Sequence, residues 1–184
     1  MCFATLYPDH VAKIVLLDQG HKKMPLFPKE YGLFRFAIPL VSVFESVFGN
    51  AFVKIIEKPF LAVESEVEKE QSMEKFCDRF YLEESDYIRK AFREEVPVNR
   101  EGIRLLFGYY RLHLPKLLHR ITAPCLLIYA SFKDKNMKEE QVTAKEIEHL
   151  QPNQNIELFK MDTQHYMHWE DEECLVKIKA FLLD

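Results

Sequence analysis

Glycine is scarce in this chain, which has only 5 glycines among 184 residues, against 15 phenylalanines and 8 tyrosines. A fold rich in tight turns and phosphate-binding loops would usually need more glycine, because glycine adopts positive φ angles without a steric penalty. An excess of positive charge is also lacking, since the net charge is −4. There is therefore no electrostatic case for a nucleic-acid-binding protein.

Patterns typical of disulfide scaffolds, metal sites and membrane spans are missing as well. The four cysteines are Cys2, Cys77, Cys125 and Cys174. Because none of them forms a C-x-x-C pair, we interpret them as reduced thiols of a cytoplasmic protein, with disulfides or a metal site as the alternatives. The most apolar region, residues 33–56, is interrupted by charged residues and by Pro39, so no integral membrane segment is predicted. No cofactor is expected.

Short apolar runs alternate with helical segments along the chain. Residues 12–18, 123–130 and 155–161 predict three strands, the first two buried on both faces and the third near a sheet edge. Residues 21–120, which follow the first strand, have helical periodicity broken by prolines. The order strand, helical block, strand, helix, strand, helix predicts an α/β fold with a parallel sheet. In this interpretation 1–20 and 121–184 form the core, and 21–120 form an inserted helical cap.

The segment Y-P-D-H-V-A-K-I-V-L-L-D at 7–18 resembles the α/β-hydrolase family. In that family it would join the helix after the nucleophile to the sixth strand. Residues 124–129 are similar to the seventh strand, 155–161 to the eighth, and the helical block to the lid. The resemblance implies that the chain is the C-terminal half of the hydrolase parallel sheet with an inserted, mainly helical lid.

Two short motifs extend the resemblance to a candidate site. The stretch S-F-K-D at 131–134 lies where the family has G-x-x-D, which implies that Asp134 is the catalytic acid. The stretch Q-H-Y-M-H-W-E at 164–170 is similar to the family's histidine loop, which implies that His165 is the catalytic base. Asp18 is the alternative acid, because some members place their carboxylate after the sixth strand. His168 is expected to pack against or cap the final helix, and no metal site is expected.

The family's nucleophile motif, G-x-S-x-G, is absent from the sequence. If the alignment holds, Met1 falls inside the helix that follows the nucleophile. We therefore expect an incomplete hydrolase site, which an upstream segment or a separate chain would complete, or else a degenerate relic.

Two functions follow from these expectations. The first is a serine-type hydrolase for a small apolar ester, amide or thioester. We expect the chain to be inactive alone, because it lacks the nucleophile. Aromatic residues of the lid either line its acyl-binding cavity or pack the lid onto the sheet: Phe34, Phe36, Phe44, Phe48 and Phe52. The second is a non-catalytic pseudo-hydrolase or binding module, whose open sheet edge at 12–18 pairs with a partner chain or a second copy.

Overall fold

The computed structural model describes residues 1–23, 47–48, 65–94, 102, 105, 108–109, 112–150 and 153–184. Within them it forms helices and a small sheet. In chain order these are α1 (Cys2–Leu6), a 3-10 turn (Pro8–His10), β1 (Ile14–Leu17), α2 (Glu66–Phe80), α3 (Asp86–Arg93), α4 (Leu114–Leu118), β2 (Cys125–Ala130), α5 (Met137–Glu148), β3 (Ile156–Met161), α6 (Met167–Glu170) and α7 (Glu173–Leu183).

The three strands form one parallel sheet in the order β1-β2-β3. This confirms the predicted mixed α/β class, although each strand begins one or two residues later than predicted. Backbone hydrogen bonds explain the later starts. Pro124 has no N–H, so pairing of β2 begins with Cys125, whose N–H donates to the Asn155 carbonyl over 2.8 Å. The Pro124 carbonyl in turn accepts from Ile14 N–H over 2.9 Å, where β1 begins.

The central strand β2 is buried on both faces, as its continuous apolar sequence predicts. Alternate side chains point to opposite sides of the sheet, so Leu127 joins one apolar cluster and Leu126 the other. On the Leu127 side the cluster includes Leu118 of α4 and Ile147 of α5. On the Leu126 side it includes Cys174 of α7. Helices therefore cover both faces. Among the strands that the structure describes, β3 lies at one edge, as predicted, whereas β1, predicted to be buried on both faces, lies at the other edge with all four residues half-buried.

Side-chain caps fix where several helices begin. Asn136 Oδ1 accepts from the N–H of Glu139, so α5 begins at Met137. Ser65 and Glu68 form a reciprocal capping box at the start of α2. Ser85 Oγ accepts from Ile88 N–H at the start of α3.

The chain divides into two compact units, which differ in their boundaries from the predicted core and cap. One contains residues 1–23, 76–84 and 113–184, and the other contains 24–75 and 85–112. The first unit takes in the end of α2 and all of α4, both of which we predicted to belong to the cap. Of the five phenylalanines expected in a lid, Phe48 is exposed, and the other four lie outside the described residues. Most of a helix predicted over 101–112 also falls outside them.

All four cysteines are free thiols, and Cys77, Cys125 and Cys174 are buried. Burial raises the pKa of the Cys125 thiol to about 11, so this side chain behaves as a small apolar residue of the core. In the ranges given above, no helix combines the length and apolar character needed to cross a membrane.

Replacing Leu127 with alanine tests whether β2 is the centre of the core. Leu127 is fully buried, so the cavity should lower the free energy of unfolding by about 3 kcal/mol. Leu175→Ala on α7 is the matched control, because Leu175 is 55% exposed, and its cost should stay below about 0.5 kcal/mol. Urea unfolding of both variants measures the difference. Equal losses would contradict the central position of β2.

Candidate active site

Asp18 follows β1 directly and is the buried carboxylate of the site. It is 6% exposed and has a φ of 47°, a left-handed conformation that aspartate tolerates better than most residues. Its N–H donates to the Ile128 carbonyl over 2.7 Å, and its Oδ1 accepts from Ala130 N–H over 3.3 Å. The carboxylate therefore lies across the carboxyl end of β2, where open α/β sheets place their binding sites.

His165 lies in the loop after β3 and contacts this carboxylate. Its Nδ1 is 2.8 Å from Asp18 Oδ2. With Asp18 ionised, Nδ1–H donates to the carboxylate and the lone pair of the ring remains on Nε2. Gln19 Nε2 lies 3.5 Å from that Nε2 and can donate to it. The imidazole is 34% exposed, so it is accessible from outside, while Asp18 is not.

Two contacts of Gln164 hold the histidine loop in place. Its backbone N–H donates to Glu170 Oε1 over 2.7 Å, and its side-chain amide donates to the Phe80 carbonyl over 3.0 Å. Glu170 also accepts from Lys135 over 2.9 Å. The side chain of Gln164 thus anchors the histidine loop to the end of α2.

Asp134, the acid that the sequence motif favours, does not contact His165 anywhere in the part of the chain that the structure describes. It is exposed in a tight turn, where the N–H groups of Lys135 and Asn136 both donate to the Phe132 carbonyl. Asp134 itself has a φ of 58°. Lys135, rather than Asp134, reaches the histidine loop from this turn, since its ammonium group donates to Glu170 Oε2 over 2.9 Å. The geometry therefore favours the alternative acid, Asp18, as the partner of His165; a catalytic role for either carboxylate stays a prediction.

Two further side chains of the loop after β1 surround Asp18. His21 is 1% exposed, and its Nε2 is 3.5 Å from Asp18 Oδ1. Lys22 Nζ is 3.8 Å from Asp18 Oδ2, 3.4 Å from Glu139 Oε2, and 4.3 Å from the centre of the Phe132 ring. Sequence reasoning missed both residues. Their position in the sequence could have indicated them, because they directly follow a predicted parallel strand. Residues that follow parallel strands lie at the same end of the sheet, which is also where His165 lies.

An aromatic cluster flanks His165. The Tyr166 ring is 5.0 Å from the His165 ring and stacks on Trp169 at 5.3 Å, and Phe76 and Phe80 meet Tyr166 edge-on at 4.9 and 4.8 Å. His168 lies inside α6 and packs against Trp169 of the same helix at 5.0 Å, so its expected role at the final helix stays a prediction. Burial, and secondarily the charge of His165, lowers the pKa of His168. The cluster gives His165 an apolar border on one side.

The described ranges contain no group of three or more His, Cys, Asp or Glu side chains arranged to hold a metal ion. Comparisons with models of protein families, with curated proteins and with solved structures found no match for this chain. The hydrolase resemblance therefore depends on the motifs and on the contacts described above.

The burial of His21 predicts a pH dependence of stability. Burial lowers its pKa from 6.5 to about 4, against an opposing attraction from Asp18 and with smaller contributions from Lys22 and His165. The unfolded chain binds a proton near pH 6.5 that the folded chain does not accept until about pH 4. His21 therefore destabilises the fold progressively as the pH falls through this window, by about 3 kcal/mol in total.

Urea unfolding between pH 7 and pH 4 measures this loss. In His21→Leu the loss of stability should be smaller by the contribution of His21. His119→Gln removes an exposed imidazole, so this variant should lose as much stability as the unsubstituted chain. If His21→Leu and the unsubstituted chain lose stability in parallel, His21 is not held neutral in the folded state.

Proposed function

We propose that Asp18 and His165 form the acid and base of a serine-type hydrolase site for a small apolar ester, amide or thioester. The observation that carries the proposal is the 2.8 Å contact between His165 Nδ1 and Asp18 Oδ2. The burial of Asp18 and the partial exposure of His165 support it, because only the base must reach a substrate. The order of acid before histidine along the chain also agrees with the hydrolase family.

The chemistry assigned to the pair is general base catalysis. Asp18 holds the imidazole in the tautomer with its lone pair on Nε2, so Nε2 can accept the proton of a hydroxyl nucleophile as that hydroxyl attacks the carbonyl carbon. Asp18 then stabilises the imidazolium, which returns the proton to the leaving group. This chain has no G-x-S-x-G motif. We therefore propose that another segment or chain supplies the serine nucleophile.

The hydrolase architecture is part of the same proposal. Three parallel strands in the order of the sixth, seventh and eighth hydrolase strands support it, with the acid after the first and the histidine after the third. One observation supports a helical lid: residues 24–75 and 85–112 form a compact unit of their own.

Hydrolysis of an activated ester tests the pair without the missing serine. With p-nitrophenyl acetate, His165 Nε2 attacks the carbonyl carbon and p-nitrophenolate leaves. Water then hydrolyses the acyl-imidazole to acetate and restores the histidine. We expect His165→Gln to remove this component of the rate. Asp18→Asn should lower it about tenfold or more, because an amide can donate to Nδ1 and so shift the ring proton onto Nε2. The absorbance of p-nitrophenolate measures the rates.

Asp134→Asn is the matched control for Asp18→Asn, because both changes replace a carboxylate by an amide of the same size. Asp134 is exposed, so its variant should stay within about twofold of the unsubstituted chain. A rate that falls in Asp134→Asn but not in Asp18→Asn would return the acid assignment to Asp134. A rate unchanged in His165→Gln would remove the base and with it the proposed function.

The second candidate function is a binding module that self-associates through β1. One observation favours it: within the described part of the chain, β1 pairs with β2 alone, and its four residues are half-buried. The N–H groups of Ile14 and Asp18 point toward β2. By the alternation of a strand, the N–H of Val15 points to the opposite, unpaired edge.

Val15→Pro tests self-association through β1. Proline removes the outward N–H without breaking the β1–β2 ladder, so a dimer formed through this edge should become a monomer. Val15→Thr keeps the N–H and the shape of the side chain, and should leave the dimer intact. Light scattering after size-exclusion chromatography measures the mass. A monomer in the unsubstituted chain contradicts self-association through β1.

A further inference from the structure

A second carboxylate, that of Glu170 at the end of α6, contacts two segments at the carboxyl end of the sheet. Its side chain is 11% exposed. Oε1 accepts from the backbone N–H of Gln164 over 2.7 Å, and Oε2 accepts from Lys135 Nζ over 2.9 Å. Gln164 lies in the loop after β3 and Lys135 in the turn after β2, so one side chain joins the two segments. The hydrolase chemistry described above gives Glu170 no role.

The bond to Oε1 satisfies a buried backbone donor. Gln164 is 6% exposed, and a buried N–H that loses its acceptor costs free energy. A charged acceptor makes such a bond shorter and stronger, which agrees with the 2.7 Å distance. Because Gln164 directly precedes His165, this bond fixes the backbone from which the imidazole projects.

The same bond closes the histidine loop on itself. Glu170 lies six residues after Gln164, so the bond joins the two ends of the segment 164–170. His165 lies within this closed segment, and its Nδ1 meets Asp18 Oδ2 at 2.8 Å. The distance between the imidazole and its carboxylate partner therefore depends on a bond that neither of them makes.

We propose that Glu170 is a positioning residue for His165: its carboxylate accepts from the N–H of Gln164 and so holds the histidine loop where Nδ1 reaches Asp18. Lys135 contacts the second oxygen and keeps the carboxylate directed at the loop. In the described part of the chain no hydrogen bond joins Glu170 to the imidazole, so Glu170 acts through the backbone. The inference rests on the proposed function, in which the Asp18–His165 pair supplies the base.

Removing the acceptor should release the loop. The N–H of Gln164 would turn toward water to recover a partner, and the imidazole of His165 would move away from Asp18. Without a carboxylate at Nδ1, the neutral ring would no longer be held in the tautomer that has its lone pair on Nε2. Substitution can separate this acceptor role from the ion pair that Glu170 forms with Lys135.

NMR of the histidine ring nitrogens tests the positioning role independently of activity. At mildly alkaline pH it shows which nitrogen of the neutral His165 ring carries the proton, and His165→Gln assigns the signals by their loss. We expect the proton on Nδ1 in the unsubstituted chain. Glu170→Ala removes the acceptor, so a large share of the proton should move to Nε2 and the activated-ester reaction should slow about tenfold.

Two further variants separate the acceptor from the charge. Glu170→Gln keeps an oxygen for the N–H of Gln164 but loses the charge that pairs with Lys135, so the proton should stay on Nδ1 and the rate within about threefold. The double variant Lys135→Glu with Glu170→Lys keeps opposite charges, but an ammonium group cannot accept from Gln164. It should therefore resemble Glu170→Ala. Glu172→Ala, which removes an exposed carboxylate, is the matched control and should resemble the unsubstituted chain.

The test stays decisive if Glu170→Ala fails to fold, because opposite results are expected for Glu170→Gln and for the double variant. A proton that stays on Nδ1 in the double variant, or that leaves Nδ1 in Glu170→Gln, would overturn the inference. A proton on Nδ1 of His165 without any ester hydrolysis by the unsubstituted chain would instead overturn the proposed function.

Discussion

The arrangement of the site depends on one buried carboxylate. Asp18 is 6% exposed, and its oxygens meet groups from three separate segments of the chain: the end of β2, the loop after β3 and the reversal after β1. A carboxylate in such a place needs donors, because burial without them would cost several kcal/mol. The requirement to satisfy Asp18 therefore couples the position of His165 to the packing of the sheet.

The same coupling explains why the sequence predicted the strands better than it predicted which carboxylate contacts His165. Strand runs are local patterns, so β1, β2 and β3 could all be predicted to within two residues at either end. His165 could be predicted from its loop for the same reason. The choice between Asp18 and Asp134 depends instead on which side chain crosses the end of β2, and this is a contact over 147 positions in sequence. Spacing in one motif does not determine such a contact.

The turn that contains Asp134 has an uncommon backbone conformation at two of its residues. Phe132 and Asp134 have φ angles of 56° and 58°, and a bulky residue such as phenylalanine rarely adopts this conformation without a compensating contact. Here Phe132 is buried in the core beside β2, with Lys22 over its ring. The stretch 131–134 therefore forms a tight turn at the sheet end, in which the carboxylate of Asp134 is exposed and the ring of Phe132 is buried.

His21 lowers the stability of the fold at a position next to the candidate site. A chain under no functional constraint would gain by replacing an imidazole that is buried without full hydrogen bonding. The residue nevertheless lies on the only carboxylate that contacts His165 in the described part of the chain, and on the oxygen that His165 does not use. The stability cost of His21 therefore lies directly beside the Asp18–His165 pair, where the N–H of Ala130 and the ammonium group of Lys22 also contact the carboxylate.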